Sequence, residues 1–140
     1  MNMQKFIMAT LAGTVTSFIA AYLVYALALN NYMSANSMEG LMNASPDFIW
    51  VILGHVVYSA LAAYVFMKWA NISTAVGGMK GGAILGLGFT LGTSLLYLGV
   101  SNMYTGGLAP AIVDALGGVI VWAIGGLGVG AALGMGKNKE

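Results

Sequence analysis

Asp114 is the residue whose chemistry stands out most against its surroundings in this sequence. It lies in the stretch APAIVDALGG, residues 109–118, which is otherwise apolar. Four residues separate it from Pro110, or roughly 6 Å at a helical rise of 1.5 Å per residue. A carboxylate in such a run needs a polar cavity or a hydrogen-bonding partner, because an isolated buried charge is costly. We therefore treat Asp114 as the centre of a candidate site.

Five other polar side chains are expected at a similar level of the fold. When the segments around them are treated as helices, they lie roughly 6–13 Å from the same end as Asp114. Spacings of three, four and seven residues put the polar members of each helix on one side. An imidazole and a carboxylate together can hold or pass a proton. The candidate pathway for a small solute or proton comprises Asp114, His55, Tyr97, Ser94, Thr93 and Tyr22.

A purely structural role is the alternative for the same residues. Asp114 could contact headgroup water, or hydrogen-bond Tyr97 or Ser94, while His55 stays neutral on a carbonyl or threonine. Catalysis is disfavoured, since there is one histidine and no carboxylate pair with a clear spacing. The chain has no cysteine, which excludes thiol chemistry and thiolate metal sites. We expect no catalytic residues, no metal site, no cofactor and no enzymatic activity.

The composition indicates what positions these residues. Apolar residues make up 59% of the 140 residues and charged ones 6%, whereas a soluble domain carries about 25% charged residues. Four apolar spans are long enough for a bilayer core, which needs about 20 helical residues. The predicted architecture is an all-α, polytopic membrane protein with a single four-helix bundle. The spans are about 6–29, 47–69, 81–101 and 110–135, with an outer loop at 30–46.

The five lysines predict the orientation of the bundle. If the spans alternate, Lys5, Lys68, Lys80, Lys137 and Lys139 all fall on one side. The positive-inside rule then places both termini in the cytoplasm. The first span is longer than the apolar core of a signal peptide, which favours a retained helix. There is no arginine and no basic stripe, so no nucleic-acid partner is expected.

Glycines and other small residues recur at helical spacing, and 18 of the 21 glycines follow residue 76. In lipid, small residues four apart let helix backbones approach and gain van der Waals contact. There are more such stripes than four helices need, which favours a homo-oligomer or a larger membrane complex. The packing positions predicted on these stripes are Gly13, Gly82, Gly86, Gly126, Gly130 and Gly134.

The two halves of the chain also allow a two-plus-two hairpin repeat. A shift of 75 residues aligns Gly13 with Gly88, and a shift of 64 aligns Pro46 with Pro110. Parallel repeats of this kind occur among transporters. Chance matches in so biased a sequence are the alternative.

Three segments carry a resemblance to known proteins: KFIMATLAG (5–13), FIWVILGHVVYSALAAYVFMKWANIST (48–74) and GGMKGGAILGLG (77–88). The chain resembles small four-helix bacterial integral membrane proteins classed as domains of unknown function. This implies a location in the bacterial cytoplasmic membrane. Two functions stay open: a non-enzymatic accessory or assembly subunit, or a channel or transporter for a small solute or protons around Asp114 and His55.

Overall fold

Helices account for 82% of the described backbone. The computed structural model describes residues 2–43 and 45–135, and within these ranges it contains five helices. Four of them are long and apolar enough to cross a membrane, which confirms the all-helical four-span bundle. The helices are α1 (Met3–Ala28), α2 (Asn30–Asn36), α3 (Phe48–Ala70), α4 (Ala75–Val100) and α5 (Leu108–Gly134).

Side-chain caps set the start of three of the spans. The side chains of Asn2, Asp47 and Thr74 accept hydrogen bonds from backbone amides in the first turns of α1, α3 and α4. Thr74 explains why α4 begins at Ala75 rather than near residue 81. Its Oγ1 accepts from Gly77 N at 3.0 Å, which fixes the first turn although glycine disfavours helix.

The bundle has two ends, which we name by the residues found there. The end with Lys5, Lys68 and Lys80 is the lysine end; Lys137 and Lys139 lie outside the described residues. The opposite end carries the connections 29–47 and 101–107 and is the loop end.

The last span is the centre of the bundle. Helix α5 packs extensively against α1 and α4 and touches α2 and α3 as well. Half of its most apolar stretch is buried within the chain, against 11% for α4 and 17% for α3. The outward faces of α3 and α4 are apolar and exposed, as lipid contact requires.

Glycine faces glycine between α4 and α5. A Cβ placed on Gly126 would lie 2.8 Å from Gly82 Cα, and one on Gly130 would lie 2.8 Å from Gly78 Cα. The obstacles are backbone atoms, which cannot rotate away. These two helices therefore approach to a distance that a larger residue would prevent.

The other predicted packing glycines also lie at contacts inside the chain. Gly86 lies under the Trp122 side chain, Gly13 lies against Val129 of α5 and Ser59 of α3, and Gly134 lies against the backbone of Ser73. The stripes from which an oligomer was expected are thus used within one chain. A homo-oligomer stays a prediction, as does the two-plus-two repeat.

Helices α3 and α4 make few direct contacts with each other. Near the lysine end, the buried ring of Phe66 lies against Gly81, and Ile72 lies against Gly77 and Gly81. Towards the loop end a gap separates α3 from α4, and Tyr58 of α3 and Phe89 of α4 both contact Trp122 of α5 there. This gap leads to the cavity described below.

Two of the spans carry π-helical turns near that gap, at Tyr22–Ala28 in α1 and Leu87–Leu91 in α4. In α4, the Thr90 hydroxyl lies 2.7 Å from the Gly86 carbonyl oxygen and 2.9 Å from that of Ala115. The second contact joins α4 to α5. Such turns change which side chains a helix presents and often occur at functional sites.

The two connections at the loop end are joined to each other. Met38 N donates to Met103 O at 3.0 Å, and Thr105 N donates to Asn36 O at 2.9 Å. This short antiparallel pairing fixes Tyr104, which lies between the two bonded residues of its loop.

Candidate functional site

Asp114 receives hydrogen bonds from hydroxyl groups of α1, α4 and the 101–107 connection. Tyr104 Oη donates to its Oδ2 at 2.5 Å, and Ser94 Oγ lies 3.4 Å from the same oxygen. Tyr25 Oη donates to the main-chain oxygen of Asp114 at 2.9 Å. The carboxylate thus lies among hydroxyl donors, which is how an acid is stabilised among apolar helices.

Tyr104 covers Asp114 at the loop end. Its side chain is 6% exposed and its hydroxyl also lies 3.2 Å from Ser94 Oγ. Burial and the hydrogen bond to the Asp114 carboxylate raise the pKa of the Tyr104 phenol from 10 to about 12. The phenol therefore remains a donor at every physiological pH.

A cavity of about 160 Å³ opens beside Asp114, between the spans and under Tyr104. It is large enough for several water molecules. All four spans contribute to its wall. The lining residues are Tyr25, Tyr58, Phe89, Thr90, Thr93, Ser94, Tyr97, Met103, Tyr104, Asp114 and Trp122.

Three aromatic rings close this cavity towards the lysine end. The rings of Phe89 and Trp122 stack with centroids 5.4 Å apart and an interplanar angle of 3°. The Tyr58 ring also contacts Trp122, with centroids 5.1 Å apart and the planes tilted by 47°. Trp122 lies eight positions after Asp114 on α5, or roughly 12 Å further from the loop end.

His55 lies in a second, smaller cavity of about 20 Å³ beyond these rings. Its Nδ1 is 3.0 Å from Ser17 Oγ, and its ring meets the Phe18 ring edge-on at 5.8 Å. Tyr58 and Trp122 are the two residues that line both cavities. The structure therefore does not bring His55 and Asp114 into one site.

No protein-family model matches the chain. No curated protein and no solved structure is significantly similar to it either. The assignment of function consequently depends on the residues and their geometry.

The predicted site residues divide into three groups. Ser94, Thr93 and Tyr97 line the cavity with Asp114, because their spacing puts them on one side of α4. His55 lies in the neighbouring cavity. Tyr22 is 53% exposed and lines neither cavity. It follows buried Ala20 by two residues, or about 200° around the helix, so it faces outward.

Two tyrosines of the site were not among the predicted residues. Tyr25 follows Thr14 by eleven residues, which is three helical turns, so extending the buried stripe of α1 would have found it. Tyr104 lies in the connection 101–107, where helical periodicity gives no information. Its signal is only an aromatic residue within a short polar, glycine-containing loop.

The chemistry available at the cavity follows from its lining. Within the described part of the chain, the lining contains one carboxylate, several hydroxyl groups and aromatic rings, and no lysine or histidine. In residues 2–43 and 45–135, no three His, Cys, Asp or Glu residues come together as metal ligands would. The arrangement is suited to binding a cation or exchanging a proton at Asp114.

Proposed function

We propose that the protein is a non-enzymatic membrane protein that binds a small solute or a proton at Asp114 and passes it through the bundle. The observation that supports this most is the 160 Å³ cavity, in which a carboxylate and several hydroxyls lie among otherwise apolar spans. A purely structural acid needs its hydrogen bonds but no cavity of this size. Ionisable groups facing a polar cavity in a membrane protein commonly mark a solute or proton pathway.

His55 extends the pathway towards the lysine end. Its cavity of about 20 Å³ has room for about one water molecule. The rings of Tyr58 and Trp122 separate it from Asp114, so a solute larger than water must displace these rings to continue towards the lysine end. We further propose that the lysine end is cytoplasmic in a bacterial inner membrane, which makes the Asp114 cavity the outer one.

Proton flux into liposomes containing the purified protein tests this function. A pH gradient and an opposing membrane potential are imposed, and an enclosed pH dye reports the flux. We expect wild-type protein to accelerate the flux and Asp114→Asn to reduce it to the rate of protein-free liposomes. Asparagine keeps the size of the side chain and its ability to accept from Tyr104, but it cannot be ionised.

Asp47→Asn is the matched control for this experiment. Asp47 caps α3 at the loop end and is exposed, and asparagine caps a helix about as well as aspartate. The control should leave the flux unchanged. Equal flux through wild-type protein and Asp114→Asn, with both proteins folded by circular dichroism, contradicts the pathway.

A second candidate function is that of an accessory subunit in a larger membrane complex. Gly88, Gly92 and Gly99 of α4 have open space where a side chain would be, and α4 is the least buried span. Small residues on an open helix face allow another transmembrane helix to approach closely. Absence of any Asp114-dependent flux would favour this second function.

A further inference from the structure

We propose that the ligand of the Asp114 cavity is an organic ammonium ion, held by an aromatic cage around the single carboxylate and admitted from the membrane between α3 and α4. This inference depends on the proposed function, because it names the class of solute for the same cavity.

The charge of the lining favours a cation. Among the residues that the structure describes, Asp114 is the only carboxylate in the wall, and no lysine or histidine lines it. The hydroxyls of Tyr104 and Ser94 both contact Oδ2 of the carboxylate, and neither brings a positive charge to it. A ligand with positive charge is attracted to the partly buried carboxylate, whereas an anion is repelled by it.

The walls favour an organic cation over a metal ion. Six lining residues are aromatic: Tyr25, Tyr58, Phe89, Tyr97, Tyr104 and Trp122. Aromatic ring faces attract ammonium groups, and cages of such rings recognise quaternary ammonium ligands. A hard metal ion instead needs several carboxylate or carbonyl oxygens, and this wall supplies one carboxylate. A proton alone does not need a cavity of about 160 Å³.

The exposure of the lining indicates how a ligand enters. Tyr104 is buried at the loop end, where the paired connections hold it. The side chains of Tyr58, Phe89 and Tyr97 are each about half exposed, and they lie where α3 and α4 separate. Entry is therefore from the side, between these helices, which suits an amine with an apolar part.

Tryptophan fluorescence gives a direct binding assay for this cavity. The chain has three tryptophans, and Trp50 and Trp69 are exposed, at 70% and 75%. Replacing both by phenylalanine leaves Trp122 of the cavity wall as the reporter. The probes are choline and 3,3-dimethylbutan-1-ol, which has the same shape without the charge. A maltoside detergent avoids the choline headgroups of many lipids and detergents.

We expect choline to change Trp122 fluorescence saturably and the uncharged alcohol to have no such effect. Asp114→Asn should weaken choline binding roughly tenfold or more, because a charge-assisted contact is lost. Phe89→Leu should weaken it severalfold by removing a ring, while Phe89→Tyr restores it. Asp47→Asn serves as the charge control and should bind choline as the parent protein does.

Three outcomes separate this inference from the proposed function. Equal binding of choline and the alcohol overturns recognition of a cation. No choline binding by a folded protein whose proton flux depends on Asp114 overturns the ligand class and leaves the pathway standing. Choline binding that requires Asp114, in a protein without Asp114-dependent flux, supports the inference and counts against the pathway.

Discussion

Tyr104 makes Asp114 a hydrogen-bonded acid rather than an isolated one. The phenol belongs to a loop, the carboxylate to a helix, and their bond of 2.5 Å closes the cavity at the loop end. A hydrogen bond to a charged group contributes about 1.5–3 kcal/mol in soluble proteins, and bonds between membrane helices average less, about 0.6 kcal/mol. The hydrogen bond between Tyr104 and Asp114 is thus strong enough to position the carboxylate and weak enough to break, which would open the cavity at the loop end.

The raised pKa of Tyr104 predicts a pH window for this bond. The folded protein favours the protonated phenol, so its stabilising effect is complete below pH 10 and is lost as the pH rises through about 12. We expect the tyrosinate absorbance of wild-type protein to match that of Tyr104→Phe near pH 10 and to exceed it as the pH rises through about 12. Asp114→Asn should lower the pKa of the Tyr104 phenol towards 10, because the carboxylate that accepts its hydrogen bond is lost. A tyrosinate difference already present near pH 10 contradicts the assignment.

Most of the carboxylate's helical neighbours could be found from the sequence, because helical spacing fixes which residues share a face. Ser94 and Tyr97 were found in this way. Tyr104 could not be, since its position depends on two backbone hydrogen bonds between distant connections. The separation of His55 from Asp114 could not be foreseen either: it depends on where the Trp122 ring lies, and depth counting along helices does not give side-chain positions.

At the scale of the elements, close backbone approach between α4 and α5 is what holds the central span. Both helices carry glycine where they cross, so the gain comes from van der Waals contact rather than from hydrophobic burial, which has no driving force in lipid. The same geometry makes this crossing intolerant of even one methyl group.

Two alanine substitutions compare a packed glycine with an open one. A Cβ on Gly126 would meet the backbone of Gly78 and Gly82, whereas one on Gly92 would meet nothing within 4 Å. We expect Gly126→Ala to destabilise the fold by about 1–3 kcal/mol, as overpacking does. Gly92→Ala should be neutral or stabilise by up to about 1 kcal/mol through helix propensity. Thermal unfolding in detergent, followed by circular dichroism, measures both; equal melting temperatures contradict the packing argument.

The four spans themselves were predictable, because 20 apolar residues in a row have few alternatives in a membrane. The start of α4 at Ala75 was harder to predict, since the polar segment NIST (71–74) and the glycines after Thr74 both weaken a helical signal. Helix α2 lies in the predicted outer loop 30–46 and, at seven residues, is too short for periodicity to reveal.

At the scale of the molecule, the asymmetry of its charges predicts one orientation. The described lysines lie at one end and Glu39 and Asp47 at the other. The chain has no cysteine, so single cysteines are clean reporters. We expect a membrane-impermeant maleimide to label Asn43→Cys in intact bacteria and Gln4→Cys only after permeabilisation. The reverse labelling pattern would show the opposite orientation. Labelling of both variants in intact cells would show that the protein inserts in both orientations.

The central place of α5 has a consequence for biosynthesis. Ribosomes make this span after α1, α3 and α4, yet it supplies the surface against which α1 and α4 each pack. Until it enters the membrane, α4 has almost no partner helix. The Tyr25 hydroxyl then lacks the main-chain oxygen of Asp114, and the Ser94 hydroxyl lacks its carboxylate. Closure of the bundle is therefore a late step. The translocon must insert α5, with its carboxylate, next to helices α1, α3 and α4, which are already in the membrane.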